Sequence, residues 1–93
     1  MHPSTVIQLS DDCPYRPEED FEIYQIEDGQ WHWEGLNDYE EFCCEDGLQS
    51  ERYAIADAIY QLCDLTGDYS HEQAVAFLYE QGLPVHQFAD AFR

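Results

Sequence analysis

The sequence predicts an α+β fold in which an N-terminal β-hairpin arm is followed by a cluster of three to four short helices with a strongly acidic surface. Three observations lead there. Strand-type residues flank an Asp28-Gly29 turn signal within residues 21–35, apolar residues recur at helical spacing further on, and Ser, Gly and Pro stand where helices start and stop. With 93 residues, 44% of them apolar and 15% aromatic, the chain has material for one core and too little for two. The domain plan is an acidic, Pro-containing arm over residues 1–20 and a single compact domain over 21–93.

Pro3, Pro14 and Pro17, with the acidic runs Asp11-Asp12 and Glu18-Glu19-Asp20, make most of the arm irregular, although Val6-Ile7-Gln8-Leu9 has strand composition. In the hairpin, a two-residue Asp28-Gly29 turn sets Ile26 opposite Trp31 and Tyr24 opposite Trp33, with all four on the buried face and Gln25, His32 and Glu34 outside. A helix over about 38–46 follows, with Asn37 as cap, Glu40 completing a capping box and Gly47 ending it. Tyr39, Phe42 and Cys43 would face the core, with Asp38, Glu41 and Glu45 on the outer face and Glu40 beside them. Carboxylates so spaced on a helix repel by a few tenths of a kcal/mol per pair, a loss of stability that hints at a use.

Ser50 caps the next helix, about 51–65, whose stripe is Ile55, Ala56, Ile59, Leu62 and Cys63, with Asp57, Gln61 and Asp64 opposite. Thr66-Gly67-Asp68 stops it. Ser70 and Gln73 form a capping box for a helix over 71–81, which turns Ala74, Phe77 and Leu78 inward and Glu72, Ala76, Tyr79 and Glu80 outward. Pro84 suits the first turn of a last helix over 84–92, where Val85, Phe88, Ala89 and Phe92 fall on one stripe.

The formal net charge is −18, from 21 acids against Arg16, Arg52 and Arg93, with no lysine. Nucleic acid and anionic membranes would repel such a chain, so its partner is expected to be basic. Residues 1–46 hold fourteen acids and one arginine, residues 47–93 seven acids and two arginines, which concentrates the charge in the first half. A globule of this length is roughly 30 Å wide, and B-DNA carries about 18 charges over that distance. The domain therefore matches a duplex of its own width in charge. The absence of a signal-like or membrane-spanning apolar run predicts a cytoplasmic protein, with Cys13, Cys43, Cys44 and Cys63 reduced.

No metal or cofactor is expected. The four Cys and four His show no C-x₂-C or H-x₃-H spacing, and neither Glu45-Asp46-Gly47 nor Asp64-Leu65-Thr66-Gly67-Asp68 follows a calcium-loop pattern. Cys43 and Cys63 read as core residues, Cys44 as a surface thiol, and His32, His71 and His86 as solvated. Among so many acids, carboxylate pairs arise by number alone. With neither a nucleophile motif nor a glycine-rich phosphate loop, an enzyme is not expected. Trp31, Trp33, Tyr24, Phe42, Phe77, Phe88 and Phe92 fit core faces, whereas Tyr60 and Tyr79 lie near polar faces, as interface tyrosines do.

Asp38-Tyr39-Glu40-Glu41-Phe42, then Leu48, Ser50-Glu51 and Tyr53, and the helix Ile55 to Leu65 resemble the D-Y-E-x-F segment and following helix of the antirestriction protein ArdA family. Glu72 to Gly82 with Phe88-Ala89-Asp90-Ala91-Phe92 resembles that family's next helix pair, so the likeness spans about residues 37–92. Members are acidic mimics of bent duplex DNA that occupy the DNA groove of type I restriction–modification enzymes. The resemblance implies that Asp38, Glu40, Glu41, Glu51, Glu72, Glu80 and Asp90 stand in for phosphates. The outward faces of the helices add Glu45, Asp46, Asp57 and Asp64 to this partner-binding set. The family's amino-terminal β-rich segment and carboxy-terminal domain have no counterpart here, which leaves the oligomeric state open, a homodimer included.

The expected function is thus a DNA-mimic inhibitor, from a phage, plasmid or other mobile element, of a host defence enzyme: a restriction–modification or CRISPR effector complex. Two other readings use the same charge. One is an acidic partner, antitoxin or chaperone, of a single basic protein. The other is a structural domain from a salt-loving organism, which the absence of lysine would suit.

Overall fold

The computed structural model describes residues 13–44 and 47–85. Strands β1 (Phe21–Gln25) and β2 (Trp31–Gly35) form an antiparallel hairpin, a 3₁₀ turn covers Asn37–Tyr39, and two helices follow, α1 (Glu51–Thr66) and α2 (His71–Glu80). The α+β character holds, but three to four helices do not: the described residues contain two α-helices.

Over 38–44, the described part of the expected helix 38–46, there stand instead the 3₁₀ turn and an extended segment along the far edge of β2. Gly35 N–H donates to the Phe42 carbonyl at 2.8 Å, Cys44 N–H to Trp33 at 3.1 Å, and Trp31 and Leu48 exchange both backbone bonds at 2.8 Å. A helix this short is marginal by itself, and here its acids would also repel. The same backbone gains more by satisfying the open edge of β2. Asn37 does not cap; it has φ 56° and its side-chain amide donates to the Glu19 carbonyl at 2.9 Å. Gly35 is required at the strand end, because a Cβ there would overlap the Tyr39 carbonyl oxygen.

The hairpin forms where expected, in a register one residue away. Ile23 pairs with Trp33 and Tyr24 with His32. The loop is Glu27-Asp28-Gly29, with Gly29 N–H donating to Ile26 at 2.9 Å, Ile26 N–H to Gln30 at 3.0 Å, and Gly29 at φ 90°. This is a type I turn closed by a left-handed glycine, the three-residue alternative to the two-residue turn. One step of register exchanges the faces of β1. Phe21 is fully buried and Ile23 half-buried, while Tyr24 and Ile26 turn outward beside His32.

Helix α1 starts at Ser50, whose hydroxyl accepts from Tyr53 N–H at 3.3 Å, and stops at left-handed Gly67, φ 76°. Helix α2 opens with the capping box of Ser70 and Gln73. The buried surface of α1 is wider than one stripe, adding Ala54 and Ala58 to Ile55, Ala56, Ile59, Leu62 and Cys63, because the hairpin packs on one side and α2 on the other. Phe21, Trp33, Ile55, Ile59, Leu62 and Leu78 are the large side chains at its centre.

Residues 13–20 are irregular, yet Cys13 and Tyr15 belong to this core; Tyr15 lies edge-on to Tyr39 at 5.4 Å, and its hydroxyl meets Thr66 Oγ1 at 3.0 Å. Of the expected last helix, Pro84 and Val85 are not helical and 86–92 lie outside the described residues. Among the described residues no helix is long and apolar enough to cross a membrane.

Candidate functional site

Most of the described acids are exposed. Asp38, Glu40 and Glu41 are exposed on and just after the 3₁₀ turn, and Asp64, Glu72 and Glu80 are exposed on the helices. Glu51 is half-buried at the start of α1. Glu45, Asp46 and Asp90 lie outside the described residues. Helix polarity treats these groups unequally. Glu51 and Glu72 sit in first turns, where the N-terminal dipole favours them; Asp64 and Glu80 sit in last turns that hold no basic residue. An acid at that end opposes the dipole by about 0.3–1 kcal/mol.

Asp57 differs from the rest. It lies between buried Ala56 and Ala58, and its Oδ2 accepts from the indole Nε1 of fully buried Trp33 at 2.8 Å. A buried indole N–H needs an acceptor, and this carboxylate ties β2 to α1. At least one of its oxygens is committed inward.

Sequence reasoning left out the carboxylates of the hairpin and its flank, Glu18, Glu19, Glu22, Glu27, Asp28 and Glu34, and Asp68 between α1 and α2, all of them exposed. Glu22 and Glu34 are directly opposite in the strand pairing, an arrangement of like charges that destabilises a sheet. Beside them Tyr24 stacks on His32 with ring centroids 5.7 Å apart, and its hydroxyl donates to Glu34 Oε2 at 3.3 Å. Burial, then the Glu34 charge, raises the Tyr24 phenol above its ordinary value. The signal for this face was the alternation along β1, legible only with the three-residue loop.

The thiols change places relative to expectation. Once 42–44 is extended rather than helical, Cys43 is exposed and Cys44 is half-buried, its sulfur 3.3 Å from His32 Nδ1 and accepting from Trp33 N–H at 3.5 Å. His32 and His71 are half-buried rather than solvated; His71 Nδ1 meets the Tyr60 hydroxyl, and His32 Nε2 is enclosed without a hydrogen-bond partner among the described residues. Burial raises the Cys44 thiol, which is the wrong direction for an activated nucleophile. Among the described residues no group of three or more His, Cys, Asp or Glu is placed to hold a metal ion.

No family model matches the sequence, and neither a curated protein nor a solved structure does.

Proposed function

We propose that this protein is a DNA mimic that binds the basic groove of a DNA-handling defence complex, of the restriction–modification or CRISPR effector kind, and excludes DNA from it. The observation that carries this reading is uncompensated charge: a sequence of net charge −18 without lysine, whose Glu22 and Glu34 face each other across a strand pair. Extents of 38 × 26 × 25 Å add to it, since a duplex of that longest length carries about 22 charges. The protein acts by binding alone. Carboxylates of the turn, the hairpin and the helices meet the Arg and Lys that hold phosphates, with Asp38, Glu40, Glu41, Glu51, Glu72 and Glu80 as the leading groups. Association is steered by charge and weakened by salt. Action in the cytoplasm, where such complexes work, follows from this reading.

The test is displacement of labelled duplex DNA from a type I restriction enzyme and, separately, from a type I CRISPR surveillance complex, across a salt series. Displacement is expected from one of them, with a salt dependence shallower than that of DNA, because a folded protein lacks the condensed counterions of a polyanion. Inhibition indifferent to salt would falsify the mimic reading.

A further inference from the structure

Backbone hydrogen bonds alternate in direction along a strand. On β2, Trp31, Trp33 and Gly35 send theirs away from β1, to Leu48, Cys44 and Phe42. His32 and Glu34 therefore aim theirs at β1, where the register sets them against Tyr24 and Glu22. The intervening β1 residues, Phe21, Ile23 and Gln25, direct N–H and C=O to the opposite edge. The Phe21 carbonyl is taken by Glu18 N–H at 2.7 Å. Among the described residues those of Ile23 and Gln25 meet no strand, and β2 is the one strand beside β1.

An open edge is a template for another strand, and its side chains select what pairs. Exposed Glu18 and Glu19 stand at one end of this edge, Glu22 along it, and Glu27 and Asp28 at the other. A second copy would bring the same acids together, at −18 per chain. An extended segment bearing Lys or Arg at alternate positions would instead set opposite charges against Glu22 and a cation over the Tyr24 ring.

We propose that the outer edge of β1, at Ile23 and Gln25, receives an extended Lys/Arg-bearing segment of the partner as an added strand. The inference rests on the partner being basic, and adds how it is gripped: by main-chain hydrogen bonds as well as by charge.

The probe is the end-blocked peptide Lys-Val-Lys-Val-Lys, titrated into the ¹⁵N-labelled full chain, beside its fully N-methylated analogue, which keeps the charge but cannot donate from its backbone. At least tenfold tighter binding of the unmethylated peptide is expected, with slowed exchange of the Ile23 and Gln25 amides. Equal binding of the two peptides overturns the edge proposal and leaves the basic-partner reading standing; binding of neither overturns the edge proposal as well. So does slow exchange of these amides in the free protein, since the edge would then be covered by this chain or, if the protection grows with concentration, by a second copy. Gln25→Pro removes an N–H that faces away from β2, so circular dichroism should be unchanged. Its affinity should fall at least tenfold, and an unaltered affinity would refute the assignment.

Discussion

The helical half of the molecule closes its own chain ends, whereas the sheet half is completed from a distance. Ser50, Gly67 and the Ser70–Gln73 box act within four residues of the groups they satisfy. The sheet takes its second edge from Phe42, Cys44 and Leu48 and its indole acceptor from α1. The halves also differ in charge, fourteen acids up to residue 46 against seven after it. The lesson of the contrast is a division of labour in which the quieter half supplies stability and the strained half displays the carboxylates.

Removing the joint between the halves should have the largest effect. Trp33→Ala empties a fully buried site and removes the indole bond to Asp57, and a loss of about 3–5 kcal/mol is expected in urea unfolding. A loss below about 1 kcal/mol would mean that the sheet is not docked on α1.

Alkali should weaken the same interior. Burial pushes the Cys63 thiol up to about 12 from 9.0 and the Tyr15 phenol up to about 12 from 10.0. The unfolded chain releases these protons first, so above the unfolded values it binds fewer of them than the folded state does. Stability from this source is complete below about pH 9 and declines as pH rises toward about 12. The urea midpoint should fall across that window, and a flat midpoint would contradict the burial of both groups.

Within the helical half, Ser70→Ala should cost about 1 kcal/mol by loss of the cap, seen as a lower thermal midpoint with the sheet signals unchanged. The smallest change sharpens the contrast by its sign. Glu34→Gln removes the charge opposite Glu22 while keeping an acceptor for Tyr24, and should stabilise by a few tenths of a kcal/mol. That gain should fade in salt of about 1 M, where the screening length is about 3 Å. Destabilisation at low salt would show that the opposed pair is not a cost.

What the sequence made legible follows the same division. Both helices, their caps and the Leu62–Cys63 stripe could be read because their signals lie three or four residues apart. The hairpin could be located but not registered, since Glu27 joins the loop only through the backbone conformations of Asp28 and Gly29, and that one residue decides whether Tyr24 or Ile23 is inside. Tyr39, Phe42 and Cys43 do fall at helical spacing, but the open edge of β2 is a non-local demand that no spacing reveals. Of the candidate site, the outward carboxylates of the helices were legible from periodicity. The inward bond of Asp57 and the facing of Glu22 and Glu34 needed the tertiary arrangement.

The two tryptophans of β2 give the protein a built-in optical gauge. Trp33 is sealed against Asp57 and responds only when the sheet leaves α1, whereas half-buried Trp31, paired with Gln25, sits across the strand from the open edge. Phenylalanine at either position would separate their fluorescence, so that one emission follows unfolding and the other follows a strand arriving beside β1.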